Sequence, residues 1–219
     1  MIWFIIIVIV MTLWFYGRSY QKKRLRQQNY LRDYIFPMAL DRKLRERYPN
    51  LNNEQIALVF RALYDYFRIC QFAKGKMVAM PSQVVDDVWH DFILFTRLYQ
   101  LFCQQALGRF LHHTPTEAMN SPTLANQGIK RAWRLSCHLE NIDAKAPEKL
   151  PLLFAIDGLL DIENGFKYDL NCQANSGNYC ASDIGCSSGC SGDSGGCSGD
   201  SSDSSGDSGC GGGCGGGGD

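Results

Sequence analysis

Residues 83–107, QVVDDVWHDFILFTRLYQLFCQQAL, decide the fold because their apolar side chains recur at helical intervals. Pro81 and Ser82 come just before this stretch and Gly108 follows it, which is the usual punctuation of a helix. At roughly 100° per residue, one stripe of the helix carries Val85, Trp89, Phe92, Thr96, Tyr99 and Cys103. The pattern predicts one continuous helix with that stripe in the core.

The same periodicity continues on both sides of this helix. Asn52 and Gln55 have the spacing of a capping box at the start of LNNEQIALVFRALYDYFRICQF, and the segment QNYLRDYIFPMALDRKLRERYP is helical in pattern on both sides of Pro37. Further helices are predicted over 124–139 and 150–160. Because no stretch alternates convincingly with a period of two, the sequence predicts an all-α domain.

The first 20 residues predict a transmembrane helix. MIWFIIIVIVMTLWFY contains no charged side chain, and a helix of about 20 residues matches a hydrocarbon layer of about 30 Å. A cleaved signal peptide would need a basic segment before the apolar one and small residues at a cleavage site, and the sequence has neither. A buried core helix is disfavoured because isoleucine and valine surround the whole circumference.

A basic cluster follows the apolar segment and predicts its direction. Its members are Arg18, Lys22, Lys23, Arg24 and Arg26. By the positive-inside rule this flank stays in the cytoplasm, which predicts a single-pass protein with its N-terminus outside and its domain inside. We also expect the five cations to contact anionic lipid headgroups, so that the bilayer itself is one partner.

Charge and composition divide the rest of the chain. With 22 basic and 22 acidic residues the net charge is zero, which gives no indication of a nucleic-acid partner. After Asn171 the chain is rich in Gly, Ser, Asp and Cys and nearly lacks large apolar residues, so a low-complexity, disordered tail is predicted. The expected organisation is a transmembrane helix at 1–20, a basic segment at 21–32, a helical domain at 33–170 and the tail at 171–219.

A set of residues around the central helix resembles the pattern of the glycine-rich domain-containing protein family. Its principal members here are Pro81, Asp86, Trp89, His90, Tyr99, Cys103, Gly108 and Arg109, and the Gly/Cys-rich end CGGGCGGGGD fits the same family. Plant-like members are expected to carry a second histidine two residues after the first, where this chain has Phe92. The resemblance implies a helical domain of uncharacterised activity in a small bacterial protein, and hence an anchor in the bacterial inner membrane.

Histidines and cysteines are the candidate metal ligands, for zinc or copper. In the body, His90, His113 and His138 could approach one another, although no HxxxH or CxxC spacing supports such a site. His90 and Cys103 cannot share an ion if both lie on one continuous helix. In the tail, the candidates are the CxxxC pairs Cys186, Cys190, Cys210 and Cys214, whose thiols the cytoplasm would keep reduced.

The sequence thus leads to three functional hypotheses. The first is a cytoplasmic interaction or scaffold domain with an unknown protein partner and no cofactor. The alternative is a metal-handling protein that uses the tail cysteines or the body histidines. The third is an enzyme, which the sequence does not favour because it reveals no complete catalytic set. His90, with Asp86 one turn before it, is expected to be a hydrogen-bonded structural link to a packed neighbour.

Overall fold

Helices make up nearly all the regular structure of the computed structural model, which describes residues 2–113, 122–170, 179–181 and 184. The all-α class predicted from the sequence is therefore confirmed. The elements are α1 (Ile2–Arg32), α2 (Met38–Arg47), α3 (Asn53–Phe72), α4 (Gln83–Leu94), α5 (Thr96–Phe102), a π-helical turn (Cys103–Leu107), α6 (Pro122–Glu140), α7 (Leu152–Leu159), β1 (Tyr168–Asp169) and β2 (Tyr179–Cys180). Most of the tail predicted over 171–219 lies outside the described residues.

α1 is one unbroken helix whose beginning is exposed and whose end packs against the body. Its apolar first half is exposed, whereas its last turn reaches the core through Leu31. Within the described residues, α1 alone is long and apolar enough to cross a membrane, a property that signal sequences share. After Arg32 the chain turns at Asp33 and stays outside any helix through Pro37, which precedes α2, so helices lie on both sides of this proline as predicted.

α3 is the central helix of the body. Its start is the predicted capping box, in which the backbone N–H of Gln55 donates to the Asn52 side chain and the backbone N–H of Asn52 donates to the Gln55 side chain, each at 2.9 Å. Its buried face includes Phe67, whose ring lies 4.7 Å from that of Phe102 and 6.3 Å from that of Phe92. Aromatic packing of this kind holds α3 against α4 and α5.

The predicted continuous helix over 83–107 is in fact three segments. α4 ends at Leu94, Phe95 adopts φ −79° and ψ 57°, and α5 begins at Thr96. The π-helical turn follows and ends at Gly108, which has the left-handed φ of 70°. The core stripe is buried as predicted except at Thr96, which is exposed because it starts a new helix after the break.

The start of α4 is fixed by a buried carboxylate from α7. Asp157 accepts hydrogen bonds from the Ser82 hydroxyl at 2.7 Å and from the backbone N–H groups of Gln83, Val84 and Phe166 at 2.6, 3.3 and 2.9 Å. These donors include N–H groups that a helix start leaves unpaired, and the negative charge suits that end of the helix dipole. The orientation of α4 is thereby set relative to α7.

A small parallel pairing is the one departure from the helical pattern in the described residues. Tyr168 pairs with Tyr179 and Asp169 with Cys180. Two residues are too few to show a period of two in a sequence, so this pairing was not predicted.

Candidate metal centre

Asp86, His90 and His113 converge at one point on the surface of α4. Asp86 and His90 lie four residues apart, one turn of α4, and His113 comes from the segment that follows Gly108. One ligand atom from each residue lies within 4.8 Å of the other two, and among the described residues this is the one such group of three. Two imidazoles and one carboxylate are a ligand set that transition metals commonly take.

The separations between the potential donor atoms suit a single ion. His113 Nε2 lies 2.9 Å from Asp86 Oδ1, and His90 Nδ1 lies 3.6 Å from Asp86 Oδ2. Bonds of about 2.0 to 2.1 Å in a tetrahedral zinc site place neighbouring donors roughly 3.3 Å apart. The two observed distances end on different oxygens of Asp86, so the shared property of the three residues is that one ligand atom from each lies within 4.8 Å of the other two. The two imidazole ring centroids are 4.1 Å apart.

The other two acids of α4 are occupied elsewhere. Asp87 accepts a hydrogen bond from the Tyr48 hydroxyl at 2.6 Å, and Asp91 forms ion pairs with Lys43 and Arg47, each at 3.1 Å. These contacts attach α4 to α2 and its following residue. Asp86 is therefore the acid of α4 that faces the two histidines.

A chain of hydrogen bonds from the core positions the segment that carries His113. Trp89 Nε1 donates to the Tyr99 hydroxyl at 3.1 Å, and that hydroxyl donates to the carbonyl oxygen of Leu111 at 2.6 Å. The indole of Trp89 also meets the His113 ring edge to face, with centroids 4.5 Å apart. Because Trp89 and Tyr99 are buried, His113 is held by the core and not only by its bond to Asp86.

The site is accessible from one side. The exposed fractions of the side chains are 47% for His90, 22% for Asp86 and 13% for His113. A cavity of about 680 Å³ adjoins all three and is also lined by Tyr66 and Arg109. The expectation that His90 is a hydrogen-bonded structural link is corrected here: His90 is about half exposed, its Nδ1 lies 3.6 Å from Asp86, and its ring contacts that of His113, whereas the hydrogen bond between α4 and its neighbour joins Asp86 to His113.

The remaining candidates from the sequence lie apart from this cluster. His138 is exposed on α6, where its ring lies 6.3 Å from that of Phe72, so it does not join His90 and His113. His112 lies beside Phe110, with ring centroids 4.8 Å apart, and lines the same cavity, but it is not a member of the group of three. The tail cysteines Cys186, Cys190, Cys210 and Cys214 lie outside the described residues.

The three body cysteines are free and buried. Burial raises the pKa of Cys70 and of Cys137 to about 12 and also raises the pKa of Cys103. Since the thiolate is the form that attacks electrophiles and binds metals, we expect these groups to react slowly in the folded protein. They serve the core, as their positions on the helical pattern indicate.

Asp86 is the member of the cluster that sequence analysis did not place among the ligands. Only histidines and cysteines were predicted as ligands, whereas the signal for Asp86 is the Asp-x-x-x-His spacing, which puts a carboxylate and an imidazole on one face of a helix. The other motif residues have separate positions: Pro81 is buried before α4, Cys103 lies in the core, Gly108 ends the π-helical turn, and Arg109 lines the cavity.

The five cations expected to meet lipid are all exposed on α1. The guanidinium carbon of Arg18 lies 5.4 Å from the centre of the Trp14 ring, a cation–π arrangement. No contact with an acid is present for any of the five within the described residues.

Comparison with known sequences identifies one family. The UCP032817-like family matches residues 26–187, which run from the last turns of α1 to beyond β2 and include all three residues of the cluster. No curated protein and no solved structure matches the chain. The match covers most of the sequence, and the chain therefore belongs to the UCP032817-like family.

Proposed function

We propose that the helical body binds one divalent transition-metal ion, such as zinc, through Asp86, His90 and His113. The observation that carries this proposal is the convergence of three ligand atoms within 4.8 Å of one another. Three protein ligands leave one position of a tetrahedral site for water or substrate, as in catalytic zinc sites. The proposal replaces the His90, His113 and His138 set with one in which Asp86 takes the third place.

The surroundings of the cluster favour a metal site over a simple hydrogen-bonded contact between α4 and the segment that follows Gly108. Such a contact needs only the hydrogen bond between Asp86 and His113, which is 2.9 Å long. His90 adds a second imidazole nitrogen 3.6 Å from the same carboxylate, too far for a hydrogen bond, while its ring lies beside that of His113. Trp89 and Tyr99 hold the segment that carries His113, as outer residues around metal ligands commonly do.

The open side of the site determines what chemistry is available. The fourth position would face the cavity of about 680 Å³, where Arg109 supplies a positive charge. A bound zinc ion supplies a water of lowered pKa and a Lewis acid. Because metal ligands bind in their deprotonated forms, we expect metal affinity to fall in acid.

We further propose that α1 anchors this body to a membrane, with the domain on the cytoplasmic side. The length and apolar character of α1 support a span, and the basic cluster from Arg18 to Arg26 supports the direction. The resemblance to small bacterial proteins favours the bacterial inner membrane.

Metal content measured on variants of the full chain tests the site. The protein is purified in detergent with a reductant, stripped with a chelator, reloaded with Zn²⁺ and desalted. We expect one bound ion to be lost in His113→Ala and in Asp86→Asn, and to be retained in the control His138→Ala. Circular dichroism verifies that each variant folds.

Two results would contradict the site. If His138→Ala loses as much zinc as His113→Ala, the ligand set is wrong. If zinc is bound but survives both His113→Ala and Asp86→Asn, the tail thiols hold it. Cobalt substitution separates these cases, because thiolate ligands add a charge-transfer absorption that nitrogen and oxygen ligands do not.

An interaction domain is a second candidate function, supported by apolar side chains that face solvent. Leu94 at the end of α4, and Leu98 and Leu101 on α5, are each about half exposed or more. A change of Leu98 to Glu should leave folding intact and abolish cross-links to a partner in cells. The exposed Lys149→Glu is the control, and equal cross-linking in both variants would remove this candidate.

A further inference from the structure

A second cavity lies between α1 and the body, and none of the three proposed metal ligands lines it. It has a volume of about 560 Å³ and is bounded by α1 on one side and by the ends of α3 and of the π-helical turn on the other. Its position brings residues of the basic segment of α1 opposite residues of the domain. Only Cys70 and Arg109 line both this cavity and the one beside the metal centre.

The charge lining this second cavity is entirely positive. Lys23 and Arg24 come from α1, Lys74 from the turn after α3, and Arg109 from the residue after Gly108. No Asp or Glu lines the cavity. Among the ion pairs of the described residues, none involves any of these four cations.

The base of the cavity is held by specific contacts. The side-chain amide of Gln71 donates to the backbone carbonyl oxygens of Gln27 at 3.2 Å and of Ala106 at 2.7 Å, which ties α1, α3 and the π-helical turn together. Gly108 adopts a left-handed φ of 70°, and a β-carbon there would collide with the side chain of Gln27. The same β-carbon would lie 3.7 Å from Cε of Lys23, so this lysine passes close to the base.

The other end of the cavity points along α1 toward its apolar half. Tyr16, Ser19 and Tyr20 line it there. Tyrosine side chains are favoured at the level of the lipid headgroups, where the apolar ring can contact lipid while the hydroxyl contacts water. The lining therefore changes, within about two turns of α1, from interfacial tyrosines to cations.

We propose that this cavity binds the phosphate of an anionic membrane lipid, with the headgroup between Lys23 and Arg24 of α1 and Lys74 and Arg109 of the body. The proposal rests on the membrane span proposed for α1. Four cations without acidic partners favour a headgroup with net negative charge over a zwitterionic one, because the latter brings its own positive charge. The bound lipid would join the anchor to the domain.

The test uses the full chain in detergent and compares lipids by native mass spectrometry. Phosphatidylglycerol and phosphatidylcholine are added separately, and inorganic phosphate is added as a competitor. The variant is the double change Lys74→Gln and Arg109→Gln, which leaves α1 untouched. Its control is Lys145→Gln with Lys149→Gln, which removes two exposed cations that do not line the cavity.

We expect the wild type and the control to retain phosphatidylglycerol in preference to phosphatidylcholine. The cavity variant should retain it roughly thirtyfold more weakly, the effect of two interfacial cations. Equal weakening in variant and control would show a general effect of charge and overturn the proposal. So would displacement of the lipid by millimolar inorganic phosphate, which would identify a site for free phosphate.

Flotation with vesicles of phosphatidylglycerol and phosphatidylcholine distinguishes the anchor from the cavity. If the wild type fails to float, both the span and the lipid site are wrong. If the wild type and the cavity variant both float, but retain phosphatidylglycerol equally well, only the lipid site is wrong. Matching thermal unfolding curves establish that the variants are folded.

Discussion

The carboxylate of Asp157 on α7 accepts a hydrogen bond from the hydroxyl of Ser82 at 2.7 Å, across 75 positions of sequence. The same carboxylate accepts the backbone N–H groups of Gln83 and Val84, so the first turn of α4 is held by a side chain from another helix. α4 carries Asp86 and His90, and the geometry of the proposed metal centre therefore depends on a residue that does not touch it.

Changing Asp157 to Asn should destabilise the body by about 2 to 4 kcal/mol, because an amide presents a donor where N–H groups need an acceptor. Chemical denaturation measures the free energy of unfolding. Asp161→Asn is the control, since Asp161 is exposed and pairs only with Lys167 in the described residues. Equal stability of the two variants would show that the buried carboxylate is not what fixes α4.

Changing Tyr99 to Phe should weaken metal binding by about tenfold, because the hydroxyl that holds the Leu111 carbonyl is lost while every ligand remains. Competition with a chromophoric chelator measures the affinity. Tyr66→Phe is the control: it also removes a buried hydrogen bond, from the Tyr66 hydroxyl to Val78 at 3.2 Å, but leaves the His113 segment alone. If both variants lose affinity equally, the Tyr99 contact has no special role.

Asp65 should make stability increase as the pH falls. Desolvation by burial raises the pKa of this carboxyl from its usual 3.8 to about 6, against the opposing effect of Arg61 and Arg68. A raised pKa means that the folded state binds the proton more tightly than the unfolded state. The cost of the buried charge is therefore complete above pH 6 and disappears as the pH falls toward 4.

Asp65→Asn tests this directly. The variant should be more stable than the wild type at pH 7, by up to about 3 kcal/mol, and the difference should vanish near pH 4. Denaturation curves at several pH values measure the difference. A difference between wild type and variant that is independent of pH would refute the assignment.

Cys70, Cys103 and Cys137 should resist alkylation by iodoacetamide in the folded protein at pH 8. A thiol with a pKa of about 12, as for Cys70 and Cys137, is thiolate in only about one molecule in ten thousand at that pH. Mass spectrometry of the digested protein, with and without denaturant, measures the reaction at each position. Rapid labelling of Cys103 without denaturant would show a reactive thiol at this position and contradict the prediction.

A reporter fused after Asp219 tests the direction of the anchor. If the basic cluster sets the topology, a reporter that works only in the cytoplasm should be active and one that works only after export should be silent. Cys180 is disulfide-bonded in the structure, a state typical of oxidising compartments. The opposite pattern of reporter activity would agree with that disulfide and reverse the proposed topology.

Local patterns were sufficient to predict the helices. Asn52 and Gln55 signalled the start of α3, and the apolar stripe from Val85 to Cys103 identified a buried face, because helical periodicity and capping depend on residues a few positions apart. The break at Phe95 was missed because the apolar pattern continues through it.

The candidate site was only partly predictable. His90 and His113 were both candidates, but nothing in their spacing shows that the segment after Gly108 returns to α4. That return depends on Tyr99 reaching Leu111 and on Trp89 lying beside His113, which are contacts of the folded core. His138 was included for its residue type, and the packing of α6 places it elsewhere.

The continuity of α1 has a consequence for how the domain is oriented. A helix that passes without interruption from Ile2 to Arg32 transmits rotation as well as distance. Each residue inserted or deleted between Tyr20 and Gln27 would turn the body by about 100° about the axis of α1 and move it by about 1.5 Å. The number of residues in α1 therefore sets the direction in which the cavity beside His90 faces relative to the apolar half of the helix. A single deletion would turn the cavity to face another direction.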